Sequence, residues 1–123
     1  MSKIEDRATQ LHESGMNCAQ SVLIALEDST GLDSGIAAKV AAGFGGGVRS
    51  GEICGAISGG VMAIGMTFKG NPAPVVKAYV DAMREKFGAV RCQDLKANRI
   101  SCAELINAAV VLAEETISSF EEG

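Results

Sequence analysis

Four cysteines, Cys18, Cys54, Cys92 and Cys102, are the residues of this 123-residue chain most able to do chemistry. Runs of 35, 37 and 9 residues separate them in turn, and no C-x-x-C pair occurs, which excludes a zinc ribbon or a thioredoxin motif by pattern. Any site that uses all four must be assembled by folding. Four thiolates are the usual donor set of an iron–sulfur centre, which would give electron transfer. Two thiols, one attacking and one resolving, would give a dithiol oxidoreductase or redox sensor, with Cys54 as the attacking sulfur. Structural zinc also accepts four cysteines but favours closely spaced ligand pairs, so it ranks below the other two. The control reading is a helical interaction module whose cysteines simply fill space, as buried free cysteine often does.

The flanking residues say how the thiols are positioned. Asn17 with Gln20, and Ser101 with Glu104, are N-cap pairs, so Cys18 and Cys102 are expected at the first position of their helices. Ser50 and Glu52 are expected to open another helix with Cys54 in its first turn, and Cys92 follows Arg91 at the start of a short segment. A helix N-terminus carries about half a positive charge and favours the thiolate, so this placement predicts lowered thiol pKa values.

Apolar residues recur at helical spacing from Ile4 to Leu11, from Cys18 to Leu26, from Ile36 to Ala42, from Val76 to Phe87 and from Ile106 to Phe120. No stretch alternates with period two between hairpin turns, so no sheet is expected. The fold class is all-α, a compact single-domain bundle of about five helices spanning 1–123 around a glycine-rich central helix. In that helix Gly55 and Gly59 share one face, and Ala56 and Gly60 another, so a neighbouring backbone or a cofactor could come close there.

Composition narrows the partners. Hydrophobic residues make up 47% and aromatic residues 4%, which calls for an aliphatic, closely packed core. A net charge of −4 disfavours nucleic acid. The mixed-charge start is unlike a secretory signal, and the stretch from Ile53 to Phe68 is shorter than the roughly 20 residues that span a bilayer. These features point to a cytoplasmic protein without a membrane partner, where cysteines are more often reactive than stapled. The apolar fourth helix is also compatible with a homodimer.

Cys54-Gly55-Ala56-Ile57-Ser58-Gly59 reads as a CGAxxG motif, with Asn17-Cys18-Ala19-Gln20 before it and Cys92 and Cys102 after it in order. In these features the chain resembles the C-GCAxxG-C-C family of redox-active proteins, over nearly its whole length. The resemblance implies a small redox protein that uses the four cysteines, with a redox protein or a small-molecule thiol or electron donor as partner, and it does not fix the reaction or the cofactor.

Other features are weaker. Gly43 to Ser50 has the glycines of a phosphate loop but lacks its lysine and preceding strand, so it reads as a connector. Within it, Arg49 could pair with Glu52 or steer an anion. His12 is the single histidine and lies on a polar stretch. Met62 and Met66 read as adaptable core filler.

Overall fold

The computed structural model describes residues 3–122, and among them the chain forms eight α-helices and no strand. They are α1 (Lys3–Glu13), α2 (Cys18–Ala25), α3 (Glu27–Thr30), α4 (Ser34–Ala41), α5 (Gly55–Thr67), α6 (Ala73–Phe87), α7 (Cys92–Ala97) and α8 (Cys102–Glu122). The all-α class holds. The helix count exceeds five because connectors such as α3 and α7 wind into helical turns of their own.

The caps foreseen in the sequence start α2 and α8, and further local signals start or end others. Asn17 and Gln20 form a full capping box on α2, each side chain serving the other's backbone N–H at 2.8 and 2.9 Å. Asp33 accepts the N–H groups of Gly35 and Ile36 to start α4. On α8, the Ser101 hydroxyl accepts the N–H of Glu104 at 3.1 Å. Pro72 and Pro74 begin α6, where a missing N–H costs nothing, and Gly88 ends it in the left-handed conformation.

Helix α5 is the centre. It packs against α2, α8, α6 and α3, and buries Ala56, Ile57, Ala63 and Ile64. It can approach its neighbours because two of its four glycines, Gly59 and Gly60, stand where a side chain would collide with α2 and α6. A Cβ on Gly59 would lie 2.8 Å from the Ala19 carbonyl oxygen of α2, and one on Gly60 only 2.0 Å from the Tyr79 hydroxyl of α6. Tyr79 is fully buried, and its hydroxyl donates to the Ile57 carbonyl at 3.2 Å, with Ala56 O at 3.4 Å. Tyr79→Phe is expected to lower stability by about 1 kcal/mol, the usual net worth of one hydrogen bond, measured as a shift in urea midpoint. Helix α8 then closes the bundle along α1, α2, α5 and α6, and its Phe120 meets Phe68 edge-on at the end of α5. Met83 is buried, whereas Met66 is 51% exposed and does not fill the core.

The glycine-rich connector between α4 and α5 is neither a phosphate loop nor a helix start. After a 3₁₀ turn at Ala42–Phe44, four consecutive residues, Gly46, Gly47, Val48 and Arg49, take positive φ of 60–65°. This makes one left-handed turn, closed by the Glu52 N–H donating to the Gly47 carbonyl at 3.0 Å. Gly47 could carry no Cβ, which would meet the Glu52 backbone at 2.4 Å. For Val48 the conformation costs roughly 1–2 kcal/mol, and at 49% exposure little burial offsets it. Val48→Gly is therefore expected to raise stability by about 1 kcal/mol, read from the thermal midpoint.

Candidate functional site

The chain brings its four cysteines together. Cys18, Cys54, Cys92 and Cys102 all line one small, largely enclosed cavity of about 70 Å³, room for a few water-sized groups. Leu95, Ile100 and Leu105 supply apolar walls, Gly46 and Gly55 supply backbone, and Lys96 supplies the cation. Two clefts of about 600 and 620 Å³ lie elsewhere, against the glutamates of α8, and contain no thiol.

Helix starts place each sulfur. Cys18, Cys92 and Cys102 are the first residues of α2, α7 and α8, while Cys54 is the N-cap of α5. This corrects the expectation that Ser50 and Glu52 open that helix with Cys54 inside its first turn. The left-handed turn occupies those positions, so α5 begins only at Gly55. Beside the turn, Ile53 and Arg91 form an isolated antiparallel bridge, with the Cys54 N–H donating to Val90 O at 2.8 Å and the Cys92 N–H to Glu52 O at 2.6 Å. Alternation in such a bridge turns Ile53 and Arg91 outward and sets Cys54 and Cys92 as diagonal neighbours on the inner face.

Gly55 borders the cavity, as expected of a position that admits close approach. Gly59, grouped with it as cofactor-binding in the sequence reading, does not border it: the Ala19 carbonyl and Val22 of α2 fill its open side. Arg49 does not pair with Glu52, which instead meets the Arg91 guanidinium at 3.3 Å. His12 turns Nδ1 toward the Met16 carbonyl at 3.1 Å and does not line the cavity. Lys96 was missed by sequence reasoning. Its signal is the four-residue step from Cys92, which stacks the two side chains on one face of α7.

The electrostatics reverse one expectation. Burial pushes the Cys18 thiol far above the ordinary range, and the adjacent Cys102 thiol, then Cys54 and Cys92, add to the rise. Burial raises the Cys54 pKa as well. The amides of Ile57 and Ala56 oppose that rise, but no full side-chain cap hydrogen bond forms. Desolvation of the thiolate thus outweighs the helix N-terminus at both sulfurs. Because folding raises these pKa values, stability is complete below the ordinary thiol range and falls as pH climbs toward the raised values. Thermal melts at rising alkaline pH are expected to show this loss, and Cys18→Ala should flatten it.

Among the described residues no three His, Cys, Asp or Glu side chains are arranged to hold a metal ion, and no helix is long and apolar enough to cross a membrane. Neither a curated protein nor a solved structure shows a significant match to the chain. A family profile described as "Putative redox-active protein (C_GCAxxG_C_C)" does match, over residues 16–116, a span that holds all four cysteines and the Cys54–Gly59 motif. The chain belongs to this redox-active family.

Proposed function

We propose that the four-cysteine cavity is a thiol redox centre in which Cys18 and Cys102 are the exchanging pair. The observation that carries this reading is the convergence on one cavity of four cysteines spread from α2 to α8. Within it, Cys102 is the side chain that acts most strongly on the Cys18 thiol, through its charge and a hydrogen bond, and both cysteines are partly exposed. Cys54 is only 3% exposed, so it is poorly placed to meet a partner's disulfide and is no longer the preferred attacking thiol. In the reaction the two thiols lose two protons and two electrons to a disulfide of a protein or small molecule. A Cys18–Cys102 disulfide forms, and the acceptor leaves as two thiols. Oxidation also removes the Cys18 thiol, whose ionisation burial opposes. A compartment that keeps thiols reduced, the cytoplasm, suits such a couple.

The shared cavity also favours a second reading, an iron–sulfur centre held by Cys18, Cys54, Cys92 and Cys102. Four thiols are the usual donor type for such a centre, which would supply one-electron transfer, but among the described residues no three of them are arranged to share a metal ion, so holding one would require the cysteines to draw together. The apolar walls from Leu95, Ile100 and Leu105 would shield it from water.

Anaerobic purification, followed by an absorbance spectrum, iron, sulfide and zinc analysis and a thiol titration on one sample, separates the readings. Four free thiols that oxidised glutathione converts to a Cys18–Cys102 disulfide would support the first. Stoichiometric iron and sulfide would establish the second, and bound zinc would make the site structural. Thiols that resist oxidation in a metal-free protein would leave a helical interaction module.

A further inference from the structure

The charge around the cavity runs against that of the chain. Residues 46–54 and 91–102, which contain three of the four cysteines, carry four cations and two acids, whereas the remaining sequence carries seven cations and thirteen acids. The two segments adjoin, because the left-handed turn packs on α7 and Gly51 abuts the Gln93 side chain. Of their cations, Arg91 alone has an ion-pair partner among the described residues, Glu52. Arg49, Lys96 and Arg99 are exposed and make no ion pair with any described residue. Two of these three stand on strained backbone, Arg49 at φ 60° and Arg99 at φ 62°. Val48 and Ile53, 49% and 38% exposed, add apolar surface to the same face.

We infer that this face is a docking surface for an acidic redox protein that exchanges electrons with the cavity. The inference rests on the redox reading for the purpose of docking, but not for the docking itself. Charge complementarity names the occupant: cations without a described ion-pair partner attract an acidic partner toward the thiols, while the acidic remainder of the chain repels it and so sets its orientation. The apolar pair gives the complex its desolvated centre, and the cations form its rim. Strained residues that gain nothing from burial in the free protein are matched by contacts in the complex.

The probe is a reduced thioredoxin of net negative charge, titrated into isotope-labelled full-length protein while amide shifts are followed. The expected result is perturbation confined to residues 46–54 and 91–102, weakening as salt is added. Arg49→Glu with Arg99→Glu should weaken binding by about tenfold or more and slow reduction of the oxidised protein by thioredoxin, while reduction by dithiothreitol, a neutral small thiol, is unchanged. Should that variant fail to fold, Arg49→Gln with Arg99→Gln and the salt titration of the unaltered protein report on the same contact. Shifts elsewhere, shifts insensitive to salt, or equal shifts from glutathione or from raising the protein's own concentration would overturn the inference in favour of no site, a small-anion site or self-association. Confined, salt-sensitive shifts from a protein whose Cys18–Cys102 disulfide, formed beforehand with oxidised glutathione, is not reduced by the thioredoxin dithiol would retain the surface and sink the thiol-exchange reading instead.

Discussion

Cys102→Ser is expected to abolish the oxidised form of the protein: treatment with oxidised glutathione should no longer remove two hydrogens from the intact mass, and the link between α2 and α8 should vanish from a peptide map. The effect is all-or-none because a disulfide needs both sulfurs, so Cys18→Ser should reproduce it and the double variant should be no worse. Cys92→Ser is the discriminating control. That sulfur lines the cavity from the start of α7, next to the Ile53–Arg91 bridge, and its loss should leave the Cys18–Cys102 couple intact. If instead all four serine variants lose colour and iron together, the cysteines act as one ligand set and the iron–sulfur reading prevails.

The second large effect concerns the scaffold. Gly60→Ala should destabilise the protein by about 3 kcal/mol, enough to threaten folding in a domain whose whole stability is roughly 5–15 kcal/mol. Alanine's better helix propensity would return only about 1 kcal/mol. The cause is the new Cβ, 2.0 Å from the Tyr79 hydroxyl and 2.4 Å from Cζ, where no real contact exists. Tyr79 is fully buried in α6, and a close-packed interior gives its ring little room to move aside. Adding Tyr79→Phe to Gly60→Ala should restore only part of the loss, because deleting the hydroxyl leaves the Cζ clash. Urea midpoints of the single and double variants measure both statements.

How much of this was legible in the sequence follows from how local each cause is. The starts of α2 and α8 could be read because a cap acts within three residues: Asn17 with Gln20, Ser101 with Glu104. The stripe on α8 could be read because burial repeats every turn. The start of α5 was misplaced, because nothing in Val48-Arg49-Ser50-Gly51 announces a left-handed turn. Non-glycine residues adopt it only under tertiary constraint, here the packing of that turn on α7. Gly55 and Gly59 looked equivalent on a helical wheel, and only the position of α2 distinguishes them, one beside the cavity and one beneath Ala19 and Val22.

At the site, membership could be read but electrostatics could not. Cap positions placed Cys18 and Cys102 correctly at their helix starts and implied a low thiol pKa, which Cys18 does not have. The opposing effect, burial, depends on Leu95, Ile100 and Leu105 arriving from other parts of the chain. A local dipole is visible in a few letters of sequence, whereas desolvation is a property of the assembled interior. The pairing of Glu52 with Arg91 rather than Arg49 has the same origin, since the bridge brings distant residues opposite each other while the turn carries its own arginine away.

Cys18 begins α2 and Cys102 begins α8, 84 positions apart in the chain. A bond between them would encircle most of the molecule and tie the longest helix to the first half of the fold. In the unfolded chain such a ring forfeits entropy worth on the order of 4 kcal/mol. The couple would then act as a latch: oxidation would lengthen the protein's lifetime against heat and proteases, and reduction would hand it back to turnover.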